Sequence, residues 1–127
     1  MTPELPIDFT VNDNIKGDII LDRSLISQVM INLVKNALDA MEQTESPRLV
    51  ITLSTTSDAI NIAVEDNGPG VADHALQEIF VPFYTTKPEG SGIGLALSRN
   101  IVRAHGGSLA YTRNNESTSF KVCLPLT

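Results

Sequence analysis

Asn32 and Asn36 stand one helical turn apart, with Lys35 and Asp39 beside them. At about 100° per residue, Gln28, Asn32, Lys35, Asn36 and Asp39 fall on one side of a helix. Taken alone, that is a solvated helix face. Asparagine, however, is a poor interior helix residue, and two of them one turn apart are an odd choice for a plain surface. Side-chain amide oxygens suit a hard cation such as Mg2+, and this spacing aims both at one point.

Asp66-Asn67-Gly68-Pro69-Gly70 directly follows an alternating apolar segment. An aspartate there can simply close an Asx-type turn. It can also present a carboxylate at a strand end, where glycines let a flat ligand approach the backbone closely. Such a carboxylate accepts a hydrogen bond from an exocyclic amine like that of adenine.

Gly90-Ser91-Gly92-Ile93-Gly94-Leu95 precedes a helical pattern. Alternating glycines expose backbone N–H groups, and a helix N-terminus favours an anion. The alternative is a plain hinge. Neither the dinucleotide fingerprint nor a Walker A loop fits, because no strand leads directly into the glycines and no Gly-Lys-Ser/Thr occurs. A phosphate cradle of another type remains, to which Thr85, Thr86 and Lys87 could add hydroxyls and a charge.

Other chemistries find little support. His74 and His105 have no partner at metal-ligand spacing and read as structural or solvated, His105 at a helix end where a cation suits the dipole. Cys123, the single cysteine, sits in a strand pattern and reads as a small core residue; it excludes an internal disulfide, which suits a reducing cytoplasm. No nucleophile elbow occurs. The net charge of −6 excludes a global basic field for nucleic acid. No apolar run reaches the roughly 18–20 residues of a membrane span, and Met1 to Pro6 lack the basic and apolar regions of a signal peptide.

These residues need elements to position them. Ile7, Phe9 and Val11 alternate as a short strand, and Ile19 to Leu21 suggest a second. Asp22 or Ser24 caps a helix running to about Glu42, whose apolar stripe is Ile26, Val29, Met30, Leu33, Val34, Ala37 and Met41. Leu49, Ile51, Leu53 and then Ile60, Ile62, Val64 form a hairpin turning near Ser57-Asp58. A short helix covers about Ala72 to Phe80, and residues 81–91 form a loop with two prolines and few core candidates. Gly92 to Gly94 open another helix, stopped at Gly106 in a left-handed conformation, and strands at about 108–113 and 118–124 follow. The pattern predicts an α+β domain, a sheet with helices on one face. With 127 residues, 42% of them hydrophobic, the chain can bury a core as one domain, residues 1–127.

Taken in order, the motifs resemble the catalytic domain of bacterial sensor histidine kinases, within the superfamily of gyrase, heat-shock chaperone, histidine kinase and mismatch-repair ATPases. Asn32-Leu33-Val34-Lys35-Asn36-Ala37 resembles the family's N box, and Asp66 to Gly70 its first glycine box. Phe80-Val81-Pro82-Phe83 resembles the F box, Gly90 to Leu95 the second glycine box, and Ala104-His105-Gly106-Gly107 a familiar helix ending. The resemblance covers about Ile19 to Leu126. It implies the Bergerat fold, a two-layer α/β sandwich with a mixed, mostly antiparallel sheet and three helices on one face. It implies ATP and Mg2+ as cofactors. Asn36 would hold the metal with Asn32 assisting, and Lys35 would lie near the phosphates; these three would carry catalysis. Asp66 would bind the adenine amino group, supported by Thr118, with Gly68 and Gly70 shaping the wall. Asp39, Phe83, Thr86, Lys87, Gly90, Ser91, Gly92, Ile93, Gly94 and Leu95 would complete the nucleotide site, with Gly92 and Gly94 on the phosphates. Residues 81–91 would be the ATP lid, anchored by Phe80 and Phe83.

The resemblance further implies transfer of the γ-phosphoryl group to a histidine on a dimerisation domain, which this sequence does not show, and a response regulator downstream. The chain would be one monomeric module, cytoplasmic, of a homodimeric and membrane-anchored parent. Ser117 stands where the family often has glycine, and Phe83 to Lys87 resemble nitrogen-regulation-type sensor kinases. Rival readings are an ATPase switch of the gyrase or chaperone type, a serine kinase regulating a sigma factor, and a binding module that has lost ATP. Relatives of the first kind carry a glutamate, as base for water, where this chain has Asn32, and many of the second kind also carry a glutamate there.

Overall fold

The computed structural model describes residues 7–11, 21–71, 73–81, 94–114 and 117–126, at 7–11 and 73–74 the backbone only. Its elements are β1 (Ile7–Val11), α1 (Arg23–Ala40), β2 (Leu49–Thr55), β3 (Ala59–Asp66), a 3-10 helix (Asp73–Glu78), α2 (Gly94–Ala104), β4 (Ser108–Asn114) and β5 (Ser117–Pro125). The strands make one five-stranded sheet in the order β1-β2-β3-β5-β4. Among the described residues only β1 and β2 run parallel, joined through α1 as a parallel pair requires. The mixed, mostly antiparallel sheet is as expected.

Two of the three expected helices are α-helices. The third, expected over about Ala72 to Phe80, is a six-residue 3-10 helix that buries Ala75 and, just beyond it, Ile79. So short a segment cannot repay the cost of α-helix nucleation, and the tighter 3-10 form is the usual outcome. Of the expected strand at Ile19 to Leu21, Ile19 and Ile20 lie outside the described residues, and Leu21 is not in a strand.

α1 begins where Asp22 caps it, its carboxylate accepting from the Leu25 N–H at 3.1 Å. The helix buries Ile26, Val29, Leu33 and Ala37, which recur every three or four residues and turn one stripe to the sheet. They meet Leu49, Val64, Phe120, Val122 and Leu124 of the sheet and Ile101 and Val102 of α2. The strand register places side chains in cross-strand rows. One row reads Leu53–Ile62–Val122–Leu109, and the next Ile51–Val64–Phe120–Tyr111. The last row is Leu49–Asp66–Thr118–Arg113, polar over three of its four positions.

α2 ends in a Schellman motif. The Gly107 N–H donates to the Val102 carbonyl at 3.0 Å, the Gly106 N–H to the Arg103 carbonyl at 2.9 Å, and Gly106 takes φ 79°. This is the predicted stop.

Candidate functional site

The site is built from the C-terminal half of α1, the N-terminus of α2 and the polar row at the end of the sheet. On α1, Asn32 and Asn36 are half-buried, whereas Gln28, Lys35 and Asp39 are exposed. The asparagines therefore line the edge between the helix and its neighbours, not the solvent face that their spacing alone suggested. Asn32 Nδ2 donates to the Ser98 hydroxyl at 3.2 Å and lies 3.4 Å from the Gly94 carbonyl oxygen. A carbonyl can only accept, so the amide nitrogen must face α2, and the side-chain oxygen is the group left for a cation. Asn32 thus joins the two helices at the start of α2.

Eight residues further along α1, at about 1.5 Å per residue, the helix reaches the other end of the site. There a Cβ on Gly68 would lie 2.8 Å from the Ala40 carbonyl oxygen. Packing against the end of α1 already requires this glycine. Gly70 has φ +77°, and a Cβ there would lie 2.7 Å from Arg113 Nη1 and 2.9 Å from Thr118 Oγ1. Backbone conformation and close approach both demand glycine at this turn. Gly94 differs: among the described residues the nearest atom to an added Cβ is Asn32 Cγ, at 3.8 Å.

Asp66 ends β3 and is 3% exposed. Its Oδ1 accepts from the Gly68 N–H at 2.9 Å, so the Asx turn foreseen as the plain alternative does form. Burial nevertheless pushes its carboxyl above the usual 3.8. The Gly68 N–H and the Arg113 guanidinium oppose that rise, and Glu65 adds to it. A buried carboxylate at a strand end, beside a glycine turn, is a strong hydrogen-bond acceptor. Thr118 faces it across the β3–β5 ladder and is likewise 3% exposed.

Asn67 secures the same turn from outside. Its Oδ1 accepts from the Arg48 N–H at 2.8 Å, and its Nδ2 donates to the Ser46 carbonyl at 2.9 Å. Arg113 Nη1 donates to the Gly68 carbonyl at 3.0 Å and to Thr118 Oγ1 at 2.6 Å. Sequence reasoning singled out neither Arg113 nor Ser98. The signal for Arg113 was the alternation Leu109–Tyr111–Arg113, which sets an arginine on the core face of β4. Ser98 is fully buried on α2, one turn after Gly94.

Phe80, expected as a lid anchor, is gripped from two sides. Its ring packs edge-on against Phe120 with centroids 6.4 Å apart, and the Arg99 guanidinium lies 4.5 Å from its centroid. Tyr111 packs on Phe120 at 5.3 Å, and its hydroxyl accepts from the Val71 N–H at 3.1 Å. Both ends of the segment carrying the 3-10 helix are thereby fastened to the β4–β5 hairpin. Ser117, in the family's glycine position, donates to Asn114 Oδ1 at 2.6 Å across that hairpin's turn. Leu95, expected at the nucleotide, is half-buried against the core. Phe83, Thr86, Lys87, Gly90, Ser91, Gly92 and Ile93, and the expected lid beyond Val81, lie outside the described residues.

His105 is structural, in a form different from the expected cation at a helix end. Its Nε2 accepts from the Asp22 N–H at 3.0 Å, and its Nδ1 faces the Ile101 carbonyl at 2.8 Å. The amide can only donate and the carbonyl only accept, so the ring is neutral with its proton on Nδ1. Among the described residues no group of three or more His, Cys, Asp or Glu side chains could hold a metal.

Residues 21–127 match the family described as histidine kinase-, DNA gyrase B-, and HSP90-like ATPase. The chain is similar to the sensor protein TdiS of Thauera aromatica, with 41% identity over 106 residues, 80% of this chain and 19% of that protein. It is also similar to the sensor protein FixL of Bradyrhizobium diazoefficiens, with 40% identity over 112 residues, 86% of this chain and 22% of that protein. Among solved structures, a nucleotide-free catalytic domain of histidine kinase ThkA matches with a TM-score of 0.84 and 31% identity, over 97% of this chain and 81% of that one. The chain spans about a fifth of the length of these two curated relatives.

Proposed function

The chain belongs to the histidine kinase-, DNA gyrase B-, and HSP90-like ATPase family, as an ATP-binding catalytic domain of the sensor histidine kinase type, and from that premise we propose that it binds Mg-ATP and donates the γ-phosphoryl group to a histidine on a separate dimerisation domain of its parent. The observation that carries the reading is Asp66, a buried carboxylate at the end of β3 directly before the Gly68–Gly70 turn. It accepts from the adenine amino group, and Gly68 and Gly70 form the wall beside it. Thr118 backs it from β5.

At the other end of the site, the Asn32 oxygen is turned away from α2 by the bonds its nitrogen makes. Amide oxygens are hard donors that fit Mg2+ completed by phosphate and water, so Asn36 and Asn32 hold the metal. Lys35 and Asp39 flank it, and Gly94 at the mouth of α2 meets the phosphates. Phe83, Thr86, Lys87, Gly90, Ser91, Gly92, Ile93 and Leu95 complete the nucleotide site by their places in the family's boxes. When bound, Mg-ATP supplies the transferable phosphoryl group. The chain's own residues orient it and exclude water.

The contacts of the half-buried Asn32 with α2 favour this over an ATPase switch or a sigma-regulating serine kinase. A glutamate there would turn a carboxylate toward the Gly94 carbonyl, and Asn32 itself cannot take a proton from water. For the parent we propose a homodimer with a response regulator downstream and a membrane anchor outside this segment; among the described residues no helix is long and apolar enough to cross a membrane. The segment 1–127 acts as one domain on the cytoplasmic side. Calorimetric titration of the chain with Mg-ADP is expected to show micromolar to millimolar binding, about −8 to −4 kcal/mol. No heat, and no displacement of a fluorescent nucleotide, would overturn the reading.

A further inference from the structure

Arg113 lies at the end of β4, where the alternation that buries Leu109 and half-buries Tyr111 would set another apolar side chain. Instead its guanidinium crosses the glycine turn. One nitrogen, Nη1, bonds both the Gly68 carbonyl of that turn and the Thr118 hydroxyl of β5. The side chain lies so close over Gly70 that a methyl group there would overlap both Nη1 and Cδ. Three pieces of chain are thus held by one cation: the end of β4, the turn after β3, and β5 opposite Asp66. We propose that Arg113 is a positioning residue of the adenine pocket, clamping the Gly68–Gly70 turn onto β5 and so fixing the acceptor and the wall against which the base sits. This rests on the adenine-nucleotide reading of the site and adds to it a residue outside the family's boxes.

The clamp acts on Asp66 without touching the base. The turn it holds carries the Gly68 N–H that bonds the Asp66 carboxylate. By occupying the Thr118 oxygen as an acceptor, it leaves that hydroxyl's own proton for another partner. Its charge also offsets the burial that disfavours an ionised Asp66. The other charged group acting on Asp66 is Glu65 on the same strand, in the opposite sense. The neighbours from β2, β5 and the end of α1, namely Leu49, Thr118 and Ala40, carry no ionisable group. Removal of the guanidinium should therefore both loosen the wall and move the acid limit of nucleotide binding to higher pH.

The test is ADP affinity of the chain against pH for the parent, Arg113→Gln and Arg113→Lys, with melting midpoints beside it. Arg113→Gln is expected to weaken ADP by about tenfold at neutral pH, as for loss of a charge-assisted bond. Its acid midpoint for binding should lie above the parent's. Arg113→Lys, which keeps the charge and loses the planar fork, should restore the acid midpoint and only part of the affinity. A glutamine variant that binds within about twofold of a binding-competent parent, with the same acid midpoint, overturns this proposal alone. If the glutamine variant does not fold, the lysine variant decides, and parental affinity in it overturns the proposal. A parent that takes up no ADP at any pH overturns the nucleotide reading and this one with it.

Discussion

In the role proposed for it, Asp66 serves affinity at the expense of stability. Its carboxyl titrates above 3.8 in the folded chain because burial disfavours the charge. Between 3.8 and that raised value the folded state binds more protons than the unfolded state, so this group's contribution to stability falls as pH rises. Above that window the ionised carboxylate is a standing cost, yet in the proposed role it is the ionised form that accepts from an adenine amine. Nucleotide affinity is therefore expected to climb through the window in which the stability of the empty chain declines. Asp66→Asn should weaken ATP by about tenfold or more, for a charged bond worth roughly 1.5–3 kcal/mol. The same variant should melt no lower than the parent at neutral pH, as calorimetric scans and titrations can read together. Parental affinity in that variant would remove Asp66 as the adenine anchor. The sequence exposes Asp66, Asn32, Asn36 and Thr118 because residue type and motif coincide there. Arg113 and Ser98 stay hidden because their roles come from cross-strand register and helix contact, which no spacing along one chain displays.

At the scale of elements, two termini are tied to each other. The start of α1 and the end of α2 meet where the Asp22 N–H donates to His105, while the Asp22 carboxylate caps its own helix. Asp22→Ala loses the cap and should cost about 1 kcal/mol in denaturant titrations. Just beyond His105, Gly106 has a left-handed backbone, and alanine there should cost roughly 1–2 kcal/mol. Gly107 is more tightly constrained, since an added Cβ would overlap the Cys123 carbonyl oxygen of the neighbouring strand. Gly107→Ala should therefore be the more damaging of the two; equal unfolding midpoints would show that β4 and β5 separate freely at this point. Most elements are legible from two- and four-residue periodicities and from their stop signals, as the Gly106 helix end shows. The 3-10 form of the short helix is not legible, because a six-residue run whose apolar residues are only Ala75 and Leu76 carries too few apolar positions to fix its period. The adjacency of β3 to β5 has no local signature, because α2 and the segments around it intervene in the chain.

For the whole molecule, the proposed division of labour predicts silence from the chain alone. His105 spends both ring nitrogens on structural contacts, at the end of α2 opposite Gly94. With radiolabelled ATP we expect no stable label on the chain and no steady phosphate release, and label on a histidine-bearing domain added in trans. Asn36→Asp should abolish that transfer, and stable label on His105 would contradict the scheme. The sheet order also sets when in time the site comes to exist. The β2–β3 and β4–β5 hairpins are local and can each close in about 1–10 μs. Asp66 belongs to the first and Thr118 and Arg113 to the second, so their polar row appears only once β3 has found β5, a long-range closure that slows folding. If that joining completes after the rate-limiting barrier, nucleotide has nothing to grip on the way up and everything to hold on the way down. Stopped-flow experiments with saturating ADP are then expected to leave the refolding rate unchanged and to slow unfolding by the full factor of the ligand's stabilisation. Faster refolding with ADP would place the joining of the hairpins before the barrier instead.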